Sequence, residues 1–135
     1  MYGAMRDGGF DLPAVPIERI DPRFYRQMVD DPTGEAPGTV VVDTSNHFLY
    51  FTQPGGRAMR YGVGLGRAGF EWSGRGIIEW KQEWPRWFPT KAMQQREPHK
   101  YGRYKDGMNG GPDNPLGARA IYLYQDRKDT HVRIH

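Results

Sequence analysis

The chain has 135 residues, with 19 Lys and Arg against 16 Asp and Glu and a formal net charge of +3; this is enough for one domain with a core and short of two. It contains no cysteine, which excludes disulfides, Cys-ligated zinc and any thiol chemistry by this polypeptide. Its basic residues are dispersed, which argues against nucleic acid as a partner; no apolar run approaches the ~20 residues of a membrane span, and Met1 to Phe10 lacks the basic start and apolar core of an export signal.

Residues 1–22 are rich in Gly, Pro and charge and show neither helical nor strand periodicity, so they read as an exposed arm with little core. Asp21-Pro22 is a helix start with Pro at the first helical position, and Phe24, Tyr25, Met28 and Val29 fit one face of a short helix ending near Asp30. Two prolines and two glycines between Asp31 and Gly38 end it. Thr39–Asp43 and His47–Thr52 read as two strands joined by the polar turn Thr44-Ser45-Asn46.

After Pro54-Gly55-Gly56, a third strand runs from Ala58 to Leu65, with Tyr61, Val63 and Leu65 alternating with Gly62 and Gly64. Alternate glycines leave one face bare, either for close packing of another element or for a substrate. Gly76–Gln82 is a fourth strand. Thr90 is placed to cap a short helix through Arg96 that Pro98 terminates, and Asp106–Pro115 is loop. Trp84-Pro85-Arg86-Trp87 lies between strand and helix, where core packing and an exposed sugar-binding surface are the competing uses of its rings. A nucleic-acid-binding β-barrel would want aromatics interleaved with Lys and Arg on one sheet face; Arg60-Tyr61 and Arg119 to Tyr124 offer fragments of that. No internal repeat is present, and the whole reads as mainly β with one or two short helices.

The last stretch is the most informative. Asn114-Pro115 and Gly117 form a turn, Ala120–Tyr124 is a strand, Gln125–Asp129 a polar turn, and Thr130–His135 a returning strand. Period two places Val132 and Ile134 on one face and His131, Arg133 and His135 on the other. A strand histidine such as His135 has the pKa of a general base near neutrality, although structural histidines are commoner. His131 and His135 also form H-x-x-x-H; a zinc site would need further ligands, and neither a cysteine nor an acidic pair stands near them in sequence. Asp126 and Asp129 read as turn residues, and His47 and His99 as surface positions.

The run Asn114-Pro115-Leu116-Gly117-x-Arg119-Ala120, Tyr122-Leu123-Tyr124 and Arg133-Ile134-His135 resembles the L,D-transpeptidase catalytic domain (YkuD-type) family. Asp31-Pro32-Thr33, Glu35-Ala36-Pro37-Gly38-Thr39, Tyr61-Gly62-Val63-Gly64-x-Gly66 and Glu83-Trp84-Pro85-Arg86-Trp87 extend the likeness over Arg23 to His135. The resemblance implies a truncated β-sandwich-like fold, with 1–22 as the arm and 23–135 as a partial catalytic domain. In the family, Ile-His is followed by Gly-Thr and then by Ser-x-Gly-Cys-x-Arg with the nucleophile; that half is absent here.

By resemblance His135 is the general base, no cofactor or metal is involved, and the partners are peptidoglycan stem peptides. The implied reaction is cysteine acyl-enzyme transfer from a tetrapeptide stem to an acceptor amine. It serves cell-wall cross-linking and shape in the periplasm or cell envelope, with any export signal upstream of Met1. A chain without the thiol is expected to be inactive. The alternative is a non-catalytic cell-wall glycan-binding β module using exposed Trp and Tyr.

Overall fold

The computed structural model describes residues 1–67 and 71–135. These fall into two compact units: Tyr2 with Val15–Ser73, and Met1 with Gly3–Ala14 and Gly74–His135. Among the described residues the fold is mainly β, with three sheets and few short helices.

The first unit is built on a four-stranded antiparallel sheet in the order β3-β6-β5-β4, where β3 is Gln27–Asp30, β4 Val40–Asp43, β5 Phe48–Gln53 and β6 Arg57–Gly62. The expected meander of β4, β5 and β6 is present. Its first turn is fastened by Asp43, whose carboxylate accepts from the Asn46 backbone at 3.1 Å and side chain at 2.8 Å, and His47 completes it at φ 59°. Alternation puts Val41, Tyr50, Thr52, Ala58 and Arg60 on one face. Thr52 and Ala58 there are 1% and 0% exposed. The Thr52 hydroxyl donates to the Ala36 carbonyl at 2.7 Å and accepts from the Thr39 N–H at 2.8 Å, so this buried polar atom is satisfied.

Two expectations fail in this unit. Asp21 does cap a turn, accepting from the Arg23 N–H at 3.0 Å, but the turn is a single 3-10 one, Pro22–Phe24, and the helix expected through Asp30 is strand β3. Pairing decides it: Met28 and Val29 lie against Met59 and Ala58 of β6, and the tertiary ladder overrides a weak helical pattern. The third strand also stops at Gly62, short of Leu65. A Cβ at Gly62 would stand 2.5 Å from Phe24 Cβ, whereas Gly64 has nothing within 4 Å. Close packing therefore accounts for the first glycine.

The second unit holds a three-stranded antiparallel sheet, β7-β8-β9, from Ile77–Glu83, Arg119–Gln125 and Lys128–Ile134. Its helices are Lys91–Arg96, with Thr90 Oγ1 accepting from the Met93 N–H at 3.1 Å, and Pro98–Tyr101. Pro98 thus ends one helix and begins the next. Trp87 and Met108 exchange backbone bonds at 2.9 and 2.7 Å, which ties down the Asp106–Pro115 loop.

The N-terminal segment, expected as an exposed arm with little core, carries two short strands. Met5–Asp7 (β1) and Phe10–Leu12 (β2) form a hairpin around Gly8 and Gly9, at φ 56° and 84°. The hairpin is tied to the second unit's own residues: Asp7 accepts from Arg119 at 2.7 and 3.1 Å, and the Phe10 ring lies 4.4 Å from Trp84. A Cβ at Gly8 would collide with the Trp84 indole.

Candidate active site

Asn114 is the structural centre of the Asn-Pro-Leu-Gly run. It is 4% exposed, and its amide N–H₂ faces the carbonyls of Pro85, Met108 and Asn109 at 3.0, 3.2 and 3.1 Å. Its side-chain oxygen accepts from the Leu116 N–H at 2.8 Å. One side chain thereby joins the Trp84–Trp87 segment, the glycine-rich loop and the entrance to β8. Gly117, at φ 66°, turns the chain into the strand.

From there β8 runs to a two-residue turn, Asp126 and Arg127, at φ 51° and 63°. Both residues are left-handed, the requirement of the tight hairpin turn that matches strand twist. The turn is shorter than the expected Gln125–Asp129, and Asp129 is a strand residue opposite Tyr124.

The simple alternation expected of β9 is also interrupted. Tyr124 opposes Asp129 and Tyr122 opposes Arg133, so three residues of β9 bulge against one of β8. His131 sits in the bulge at φ 62°, with 81% of its side chain exposed. Bulging takes it out of the regular row that was to hold both imidazoles. Asp129 bridges the bulge from below: its carboxylate receives both terminal nitrogens of Arg133 at 2.6 and 2.7 Å and the His131 N–H at 2.8 Å. The Arg133 hydrogen bond, and then the His131 N–H and the Arg133 charge, lower the Asp129 carboxyl to about 2 against the opposing effect of burial.

Arg133 in turn lies over the Tyr122 ring, 4.4 Å from its centroid, and Tyr122 stacks on Trp80 at 3.7 Å and 4°. Asp129, Arg133, Tyr122 and Trp80 thus form one ladder across all three strands. Beyond the bulge, Ile134 pairs regularly with Ile121, and His135 follows it, exposed. The ladder was not foreseen in the sequence; the i, i+4 spacing of Asp129 and Arg133 was its one available signal.

Of the other named residues, His47 and His99 are exposed as expected. Trp84 and Trp87 are packed: Trp84 on Phe10, Trp87 edge-on to Tyr101 and Tyr104 at 6.0 and 6.4 Å. Among the described residues, no helix is long and apolar enough to cross a membrane.

A β8–β9 hairpin entered through a buried Asn-Pro-Leu-Gly turn and leading to Arg-Ile-His defines an L,D-transpeptidase-type catalytic β-domain. The match is direct: the family model for the L,D-transpeptidase catalytic domain covers residues 37–135, and the chain belongs to that family. It is 36% identical over 88 residues to the probable L,D-transpeptidase ErfK/SrfK of Salmonella typhimurium, and 31% identical over 87 residues to that of Escherichia coli K12. Each match covers 62% of this chain and 28% of the relative, so the chain spans little more than a quarter of those proteins' length. It is also similar to a crystal structure described as a probable carnitine operon oxidoreductase from Brucella melitensis. That match has 51% identity and a TM-score of 0.79, over 89% of this chain and 74% of the other.

Proposed function

We propose that this chain supplies the general-base portion of an L,D-transpeptidase, with His135 as the base and the nucleophilic cysteine on polypeptide outside the sequence described. The single observation that carries the reading is His135 at the exit of β9, directly after the bulge held by Asp129 and Arg133. In the assembled reaction, the imidazole takes the thiol proton, the thiolate attacks a stem-peptide carbonyl, and D-alanine leaves. The thioester is then attacked by an acceptor amine to make the cross-link. The substrate lies outside the cytoplasmic membrane, so the site of action is the periplasm or cell envelope.

The 135 residues alone carry no thiol and are expected to be inert. Carbapenems acylate the catalytic cysteine of this family, so incubation with one should leave the intact mass unchanged. A stoichiometric adduct abolished by His135→Ala would show that the nucleophile lies within the chain and overturn this reading. The glycan-binding alternative loses Trp84 and Trp87 to packing and rests on Trp80 and Phe88, 43% and 59% exposed.

A further inference from the structure

The glycine-rich loop that Asn114 gathers also holds Asn109-Gly110, and among the described residues the Gly110 N–H makes no backbone hydrogen bond. Asn109 is exposed; its side-chain oxygen accepts from Arg86. Asparagine is thermolabile because the next backbone nitrogen can attack its side-chain carbonyl, and glycine in that next position leaves the approach unhindered. We propose that Asn109-Gly110 is a self-modifying site, at which the chain converts Asn109 to a carboxylate through a cyclic imide.

The atoms balance without any other reactant than water. The Gly110 nitrogen bonds to Asn109 Cγ, the Cγ–Nδ2 bond breaks, and the proton lost by Gly110 leaves with the amine as ammonia. Water then opens the imide at one carbonyl or the other, giving aspartate in the normal or the β-linked backbone. The other two asparagines of the chain are poorly placed for this. Asn46 precedes the bulkier His47, and its amide N–H₂ is held by Asp43 at 2.8 Å. Asn114 is buried and precedes Pro115, which has no N–H to lose.

The fold itself requires the vulnerable pair. A Cβ at Gly110 would stand 2.1 Å from the Trp84 carbonyl oxygen, so no other residue fits there, and Asn109 is the side chain that ties the loop to Arg86. The two products differ in what they do to this loop. In the normal linkage the backbone is unchanged and the hydrogen bond from Arg86 becomes a stronger, charge-assisted one. In the β-linkage an extra backbone atom enters where Gly110 packs on Trp84, and the Asn109 carbonyl that receives the Asn114 amide becomes a free carboxylate. The second product therefore loosens the turn that leads into β8.

Intact mass and peptide mapping of the full chain, held in mildly alkaline buffer beside a free peptide spanning residues 107–112, test the proposal. Each event exchanges an amide for an acid and adds about one dalton. Asn109 of the folded chain should convert at no less than about a tenth of the peptide's rate, as an exposed loop allows. Asn109→Gln, whose cyclisation would need a larger ring, should remove the gain. In urea unfolding the β-linked product should have a lower midpoint than the parent, and the normal product and Asn109→Asp should stay close to it. A slower conversion of Asn109, a gain that maps to Asn46 or Asn114, a gain that persists in Asn109→Gln, or a β-linked product as stable as the normal one would each overturn it.

Discussion

Asp129 is the carboxylate on which pH acts most directly. Its pKa is lowered to about 2 from an unfolded value of about 3.9, so its contribution to stability is fully present above about pH 4 and is lost as pH falls through 2. Its partly exposed pair with Arg133 sets that contribution at about 1–2 kcal/mol. Asp129→Asn is expected to lower unfolding free energy by that amount at neutral pH. The difference between parent and variant should shrink as pH falls from about 4 to 2, measured by urea unfolding; a difference constant with pH would show that the pair is not what the charge supports. Asn114 is the second telling residue. Replacing it by Ala removes the partner of the Leu116 N–H and of the Pro85 and Asn109 carbonyls, while the Met108 carbonyl keeps the Trp87 N–H, so Asn114→Ala is expected to cost about 2–4 kcal/mol in the same assay.

At the scale of elements, the glycine that ends β6, Gly62, and Gly64 beyond it make opposite predictions. Gly62→Ala drives a methyl against Phe24 Cβ and its carbonyl oxygen, at 2.5 and 2.7 Å, and should destabilise by about 1–3 kcal/mol; Gly64→Ala meets open space and should be close to neutral. Equal denaturation midpoints for the two variants would refute the packing account. The sequence showed the meander and the final hairpin because Val40–Asp43, Phe48–Gln53 and Arg119–Gln125 carry β-branched and aromatic residues bounded by turn residues. It hid β3, where Phe24, Tyr25, Met28 and Val29 fit a helix locally and only the ladder with β6 decides for strand. The N-terminal hairpin was hidden by the brevity of Met5–Asp7 and Phe10–Leu12, although Gly8-Gly9 is a turn signal in its own right. At the site, the strand that ends in Arg133-Ile134 was legible through its apolar alternation. The bulge was not, because histidine's enrichment in the left-handed region is too weak to mark a single position in a run that otherwise alternates as a strand does.

At the scale of the whole molecule, membership of the L,D-transpeptidase catalytic-domain family stands beside a composition without cysteine. The chain brings an ordered hairpin, a buried Asn114 turn and a terminal imidazole, and no sulfur nucleophile. In the function proposed above its part is to accept a proton, and that proposal becomes testable once a thiol is supplied. The most direct measurement is the pH dependence of carbapenem acylation, followed by intact mass, in a protein joining this chain to a segment that bears Ser-x-Gly-Cys-x-Arg. With His135 present, acylation should proceed near neutrality. His135→Ala should slow it about a hundredfold or more, with the deficit narrowing at alkaline pH as the thiol ionises unaided. Acylation of the His135→Ala protein at the parent's rate across neutral pH would contradict the account.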